Sequence, residues 1–227
     1  MMRRFQDRTE AGRALGRALR PYRSRENLVV LGLPRGGVPV AYEVARELGA
    51  PLDVCVVRKL GVPGHRELAM GAIASGNVCV FNPEVVHAAG VSKEEILEVI
   101  EEERKELRRR EVVYRGERPA VDVRDAVVIL VDDGLATGAT MRAAVRAMRE
   151  LKAGKVVVGI PVAPASTCRT LTHEADDVIC LLRPEYFESV GQWYDDFEQL
   201  TDEDVRLWMG RARTSESVNV PHAGQSA

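Results

Sequence analysis

The chain has 227 residues, 45% of them hydrophobic and 29% charged, with a formal net charge of −2. That composition is ordinary for a soluble globular protein, and its charge gives no reason to expect nucleic acid or an anionic membrane as a partner. The longest wholly apolar stretches are strand-length, such as "AVVILV" at 126–131, too short to cross a bilayer.

The N-terminal stretch is basic but lacks an apolar core, so no secretion signal is read there. Cys55, Cys79, Cys168 and Cys180 form no C-x-x-C pair and no zinc spacing. They read as small buried hydrophobes of a reducing, cytoplasmic protein.

In chain order, residues 7–20 predict a helix with Ala11, Leu15, Ala18 and Leu19 on one face and Pro21 past its end. "NLVVLGL" (27–33) is a buried strand, "PRGG" a loop, and "VPVAYEVARELG" (38–49) a helix stopped by Gly49. "PLDVCVVRKL" (51–60) reads as one strand, and the Gly-rich segment 61–71 as a mobile loop without a period. Residues 72–81 predict two strand pieces about the tight turn "SGN". Ser92 and Glu95 form a capping box for a charged helix running to about Tyr114. Strand 126–131 leads through "DDGLATGAT" into helix 141–151. Strands at 155–163 and 177–182 follow, with a helix between them. Thr201 and Asp204 cap a short last helix. Residues 1–210 read as one domain and 211–227 as a flexible polar tail.

Continuous apolar strands alternating with helices predict an α/β fold with an open, mainly parallel sheet covered on both faces. Ligands of such sheets bind beyond the carboxyl ends of the strands. Asp132 and Asp133 stand at such an end, and like charges in contact are usually kept for a ligand or a cation. Beyond them Thr137 and Thr140 offer hydroxyls, Gly138 allows close backbone approach, and the helix start presents free N–H groups to an anion. A phosphate cradle beside carboxylates suits a sugar phosphate. A magnesium site of a phosphatase or receiver type would also use a strand-end aspartate pair. A Walker loop is ruled out because no G-K-[ST] is present.

Four apolar residues, two acids and "GLATGAT" resemble the signature of the type I phosphoribosyltransferases, which bind 5-phosphoribosyl-1-pyrophosphate (PRPP). "LPRGGVPVA" and "RKLG" extend the resemblance over about residues 5–208. It implies that fold, with a flexible lid loop and a small C-terminal hood at 184–199. It also implies transfer of the phosphoribosyl group to a small nitrogenous acceptor, with Mg²⁺ and release of pyrophosphate. A PRPP or nucleotide sensor without turnover is the alternative.

By the same resemblance, Asp132 and Asp133 hold the ribose hydroxyls and offset the magnesium charge, and Ala136, Thr137, Gly138, Ala139 and Thr140 hold the 5′-phosphate. Arg35, Gly36 and Gly37 form the pyrophosphate loop. A cis peptide bond is expected within Pro34–Gly37, most of all at Arg35–Gly36. Arg58 or Lys59 reaches the pyrophosphate. The segment 60–71 is the lid, with His65, Arg66 and Glu67 its chemical candidates and Glu67 the first choice of acid or base. Tyr186, Phe187, Trp193 and Tyr194 supply flat faces in the hood, and Asp195 or Asp196 an N–H acceptor; a hydrophobic lid packed over the sheet end is the other reading of these aromatics. Hypoxanthine-guanine enzymes have an aspartate at the position of Ala136, which puts a 6-oxopurine acceptor in doubt. Homodimers are common in the family.

Overall fold

In the computed structural model, which describes residues 4–218, a five-stranded sheet organises the chain. Its strands are β1 (Leu28–Gly32), β2 (Leu52–Val54), β6 (Val127–Val131), β7 (Lys155–Val162) and β8 (Asp177–Leu182), in the order β2-β1-β6-β7-β8. Every pairing in it is parallel. Such strands are buried on both faces, and β1 is buried at every position.

The helices α1 (Arg8–Ala18), α2 (Gly37–Leu48), α4 (Lys93–Arg115) and α7 (Asp202–Val218) cover one face. There Leu15, Val44, Leu107 and Val205 pack on Val30, Ile129 and Val157. On the other face α5 (Ala139–Glu150) and α6 (Ala165–Leu171) bury Met141, Val145 and Leu171 against Leu31, Leu130 and Val158. The alternation of strand and helix is therefore an α/β layer structure.

Residues 51–60 do not make one strand. The chain leaves the parallel sheet after Val54, and Val57–Val62 (β3) starts a second, antiparallel sheet with β4 (His65–Ala74) and β5 (Val78–Phe81), in the order β3-β4-β5. The segment expected to be a mobile loop is thus a paired hairpin: Val62 lies opposite His65, with Pro63 and Gly64 at the tip. Ser75, Gly76 and Asn77 make the three-residue turn between β4 and β5, with positive φ at Gly76 and Asn77. A short helix, α3 (Pro83–Ala88), follows, and the Ser92–Glu95 capping box is present at α4.

A buried ion pair ties α4 to the sheet edge. Arg115 Nε donates to both oxygens of Asp53 at 2.7 and 3.0 Å, and its Nη2 donates to Val54 O at 2.7 Å. The last helix is longer than expected: α7 runs to Val218, so residues 211–218 are helical, and 219–227 of the expected tail lie outside the described residues. Among the described residues no helix is long and apolar enough to cross a membrane.

Candidate active site

The loops after β1 and β6 lie side by side because these strands are neighbours in register, with Gly32 opposite Val131. The first loop, 33–36, contains a cis bond between Pro34 and Arg35, one residue before the bond expected. Two glycines then bring its backbone onto the acids. A Cβ at Gly36 would stand 1.9 Å from Asp133 Oδ2, and one at Gly37 would stand 2.6 Å from Val131 O. Any larger residue would displace the Asp133 carboxylate at Gly36 and the backbone of the second loop at Gly37.

Asp132 and Asp133 close β6. Asp132 Oδ1 accepts the Asp133 N–H at 2.9 Å, and Asp133 Oδ2 accepts Arg8 Nε at 2.8 Å. Among the described residues nothing donates to Asp132 Oδ2 or Asp133 Oδ1. Burial, and then the charge of Asp133, raises the Asp132 carboxyl well above the usual carboxylate range. Burial raises Asp133 too, against the opposing pull of Arg8.

The phosphate-type loop follows. Gly138 caps α5 at φ +73°, and a Cβ there would meet Thr167 Cγ2 at 2.8 Å. Thr167 Oγ1 donates to Ala136 O at 2.6 Å and shapes the loop from below. Ala136, Thr137, Ala139 and Thr140 are exposed, so the start of α5 is open to a ligand.

The expected basic groups are dispersed. Arg35 Nη1 donates to Leu200 O at 2.8 Å and its Nε pairs with Asp202 at 3.2 Å, which points it toward the start of α7. Arg58 pairs with Glu103 of α4 at 2.6 Å. Lys59 points the other way, as adjacent residues on a strand must. It lines a groove of about 540 Å³ between the antiparallel sheet and α5, together with Phe81, Glu84, Thr140, Arg142 and Arg146. Glu67 and His65 are exposed on β4, and Arg66 faces Glu102 at 3.4 Å.

In the hood, Trp193 and Tyr194 are buried with Phe5 and Val162. Their aromatic faces pack inward, while Tyr186 is 82% exposed and Phe187 half-buried. Asp195 and Asp196 are exposed. Tyr194 nonetheless bears on the site, since its hydroxyl donates to Asp133 O at 2.5 Å. Neither Arg8 nor Phe197 stood out in the sequence. Arg8 is one basic residue among many in a helix, and only the fold brings it to the acids.

A family model described as "Phosphoribosyl transferase domain" matches residues 7–198. The chain belongs to the phosphoribosyl transferase family. Its resemblance to that family, its α/β fold and its two loops at the carboxyl ends of β1 and β6 agree. It is 44% identical over 211 residues to the Mycobacterium tuberculosis protein named "Putative phosphoribosyl transferase Rv0571c", covering 93% of this chain and 47% of that protein. A second strain's protein of the same description matches equally. The chain thus spans about half the length of the curated relatives it matches. The crystal structure of TT1426 from Thermus thermophilus superposes with a TM-score of 0.81 at 43% identity, covering 91% of this chain and 97% of that one.

Proposed function

We propose that this family member binds PRPP with Mg²⁺ and transfers its phosphoribosyl group to a small nitrogenous acceptor. One observation carries the reading. Two adjacent strand-end acids, each keeping one carboxylate oxygen without a donor among the described residues, stand against a glycine loop and beside an open helix start. Two acceptors side by side suit the two hydroxyls of a ribose. The helix start suits the 5′-phosphate, and the backbone of residues 33–37 the pyrophosphate.

Magnesium fits this donor set in one way. Among the described residues no group of three or more His, Cys, Asp or Glu side chains could hold a metal by itself. Mg²⁺ commonly takes one or two carboxylates and completes its shell with substrate phosphates and water. Asp132 and Asp133 would be those carboxylates, and the ion would offset charge on the pyrophosphate. In the transfer, an acceptor nitrogen lone pair forms the bond to C1 as the C1–O bond to pyrophosphate breaks, and the acceptor gives up a proton. The protein's part is electrostatic: to hold the ribose and the leaving group and to exclude water.

Of the three expected cations, Lys59 is the best placed to serve the phosphates, because it shares a groove with Ala139 and Thr140. Arg35 and Arg58 would have to leave Asp202 and Glu103 to do so. Glu67, on the exposed arm of the hairpin, is the first choice of proton carrier if that arm folds over the site. Tyr186, Phe187 and Asp196 remain the hood's candidates for the acceptor, with Trp193 acting from beneath as packing. Ala136 has no proton acceptor in its side chain, which favours adenine, a pyrimidine or another heterocycle over a 6-oxopurine. Four free thiols accord with a cytoplasmic setting.

The test is PRPP consumption, read as pyrophosphate release, against a panel of nitrogenous bases and amines. Release that depends on one acceptor is expected. Binding without turnover would favour a sensor, and absence of PRPP binding would overturn the reading.

A further inference from the structure

The N-terminal segment lies outside both ligand loops, yet it ends on one of them. Phe5 N–H donates to Trp193 O at 2.9 Å, and the hood donates back from Asp195 and Asp196 N–H to Phe5 and Gln6 O, each at 2.9 Å. Asp7 caps α1 by accepting the Glu10 N–H at 2.7 Å. These bonds fix the first turn of α1 against the hood and set Arg8 at its first position.

Arg8 is held on three sides. Nε donates to Asp133 Oδ2 at 2.8 Å, Nη1 donates to Glu198 O at 2.9 Å, and the guanidinium carbon stands 3.9 Å from the centre of the Phe197 ring. The Arg8 and Asp133 side chains are each 12% exposed. A cation at a helix N-terminus opposes the helix dipole. Helix stability therefore does not account for an arginine here; Asp133 does.

We propose that Arg8 is a positioning residue for the sugar: it engages Asp133 Oδ2 from behind and so presents Oδ1 to the ribose hydroxyls. This rests on the phosphoribosyl reading above. Tyr194 fixes the backbone of Asp133 through its carbonyl, and the carboxylate lies against Gly36 of the first loop in the space a Cβ would otherwise fill. Arg8 supplies the remaining constraint. A planar guanidinium stacked on a ring holds that direction better than a flexible ammonium.

Calorimetry with three probes tests it: Mg²⁺–PRPP, ribose 5-phosphate and inorganic pyrophosphate. In Arg8→Met the two ribose ligands weaken by about ten- to a hundredfold, the value of one well-placed charge-assisted bond, while pyrophosphate is unaffected. Arg8→Lys, which keeps the charge and loses the stack, restores part of the loss. If Arg8→Met folds poorly, Phe197→Leu removes the stack alone, and the same split between ribose ligands and pyrophosphate is expected. Equal weakening of all three probes overturns the proposal, because Arg8 would then act only as a general attractor of anions. Unchanged ribose binding in folded Arg8→Met overturns this inference alone. A wild type that binds none of the probes overturns the phosphoribosyl reading and this inference with it.

Discussion

Asp132→Asn and Asp133→Asn separate what the acidic pair does for binding from what it costs the fold. Each acid keeps one oxygen without a donor. Losing one charge-assisted bond to a ribose hydroxyl costs about 1.5–3 kcal/mol, so each variant weakens PRPP at least about tenfold and the double variant by about 3–6 kcal/mol. Stability moves differently at the two positions. Burial and the charge of Asp133 raise the Asp132 carboxyl, so the folded state binds its proton more tightly than the unfolded chain does. The associated stability is fully present below the unfolded pKa of about 4 and is lost as pH rises through the folded value.

The Asp132→Asn variant has no such loss. It is more stable than the wild type at neutral pH, by about 1.4 kcal/mol for each pH unit between the unfolded and folded values, and the gain disappears near pH 4. The Asp133→Asn variant also removes a buried charge, but it forfeits the ion pair with Arg8. That forfeit is worth about 1 kcal/mol or more for a pair so shielded from solvent, or about 2–4 °C in a chain of this size. Asp132→Asn should therefore melt higher than Asp133→Asn at pH 7. Thermal unfolding at pH 4 and 7 without ligand, with calorimetry of Mg²⁺–PRPP alongside, gives both readouts. A melting order reversed between the two variants, or PRPP binding unchanged in the double variant, refutes the reasoning.

Gly138→Ala forces a side chain onto positive φ and against Thr167. A loss of about 2–4 kcal/mol is expected in urea unfolding, with weaker ribose 5-phosphate binding by calorimetry. Arg115→Met leaves buried Asp53 without its counter-charge and should cost about 3–5 kcal/mol, with part of the loss recovered when Asp53→Leu is added. Thermal melts of the single and double variants check this. Trp193→Ala empties a packed cluster and costs about 3–5 kcal/mol. Tyr186→Ala changes stability by no more than about 0.5 kcal/mol, so any loss of acceptor use in that variant reports contact with the acceptor.

The parallel sheet was legible because β1, β6 and β7 are continuous apolar runs between helix patterns, the mark of strands covered on both faces. The two ligand loops were legible because adjacent acids and paired glycines have few other uses at strand ends. The step from β2 to β3 was hidden, since Cys55 and Val56 are as apolar as the strands on either side and nothing marks the change of sheet. The hairpin arm was hidden for the opposite reason. His65, Arg66, Glu67 and Leu68 are all exposed, so no alternation betrays the strand. Trp193 and Tyr194 could be read either as stacking faces or as packing over the sheet end, and the residues alone did not decide, because their partner Phe5 comes from the other end of the chain. Arg8 was illegible for the same cause.

That joining of distant segments fixes when the site can exist. Asp133 takes its guanidinium from 125 residues earlier and its tyrosine hydroxyl from 61 residues later. While the chain is being made, β1, β2 and β6 can pair before residues 193–198 have been synthesised. Until that later segment arrives, residues 5 and 6 lack their backbone partners and Arg8 lacks Glu198 O and the Phe197 ring, although α1 already has α2 to pack on. Contacts of such long sequence separation form late and open early. Amide hydrogen exchange should accordingly find residues 5–8 and 193–198 opening together, at lower free energy than β1 and β6; if the two segments exchange independently, the clamp is not a unit.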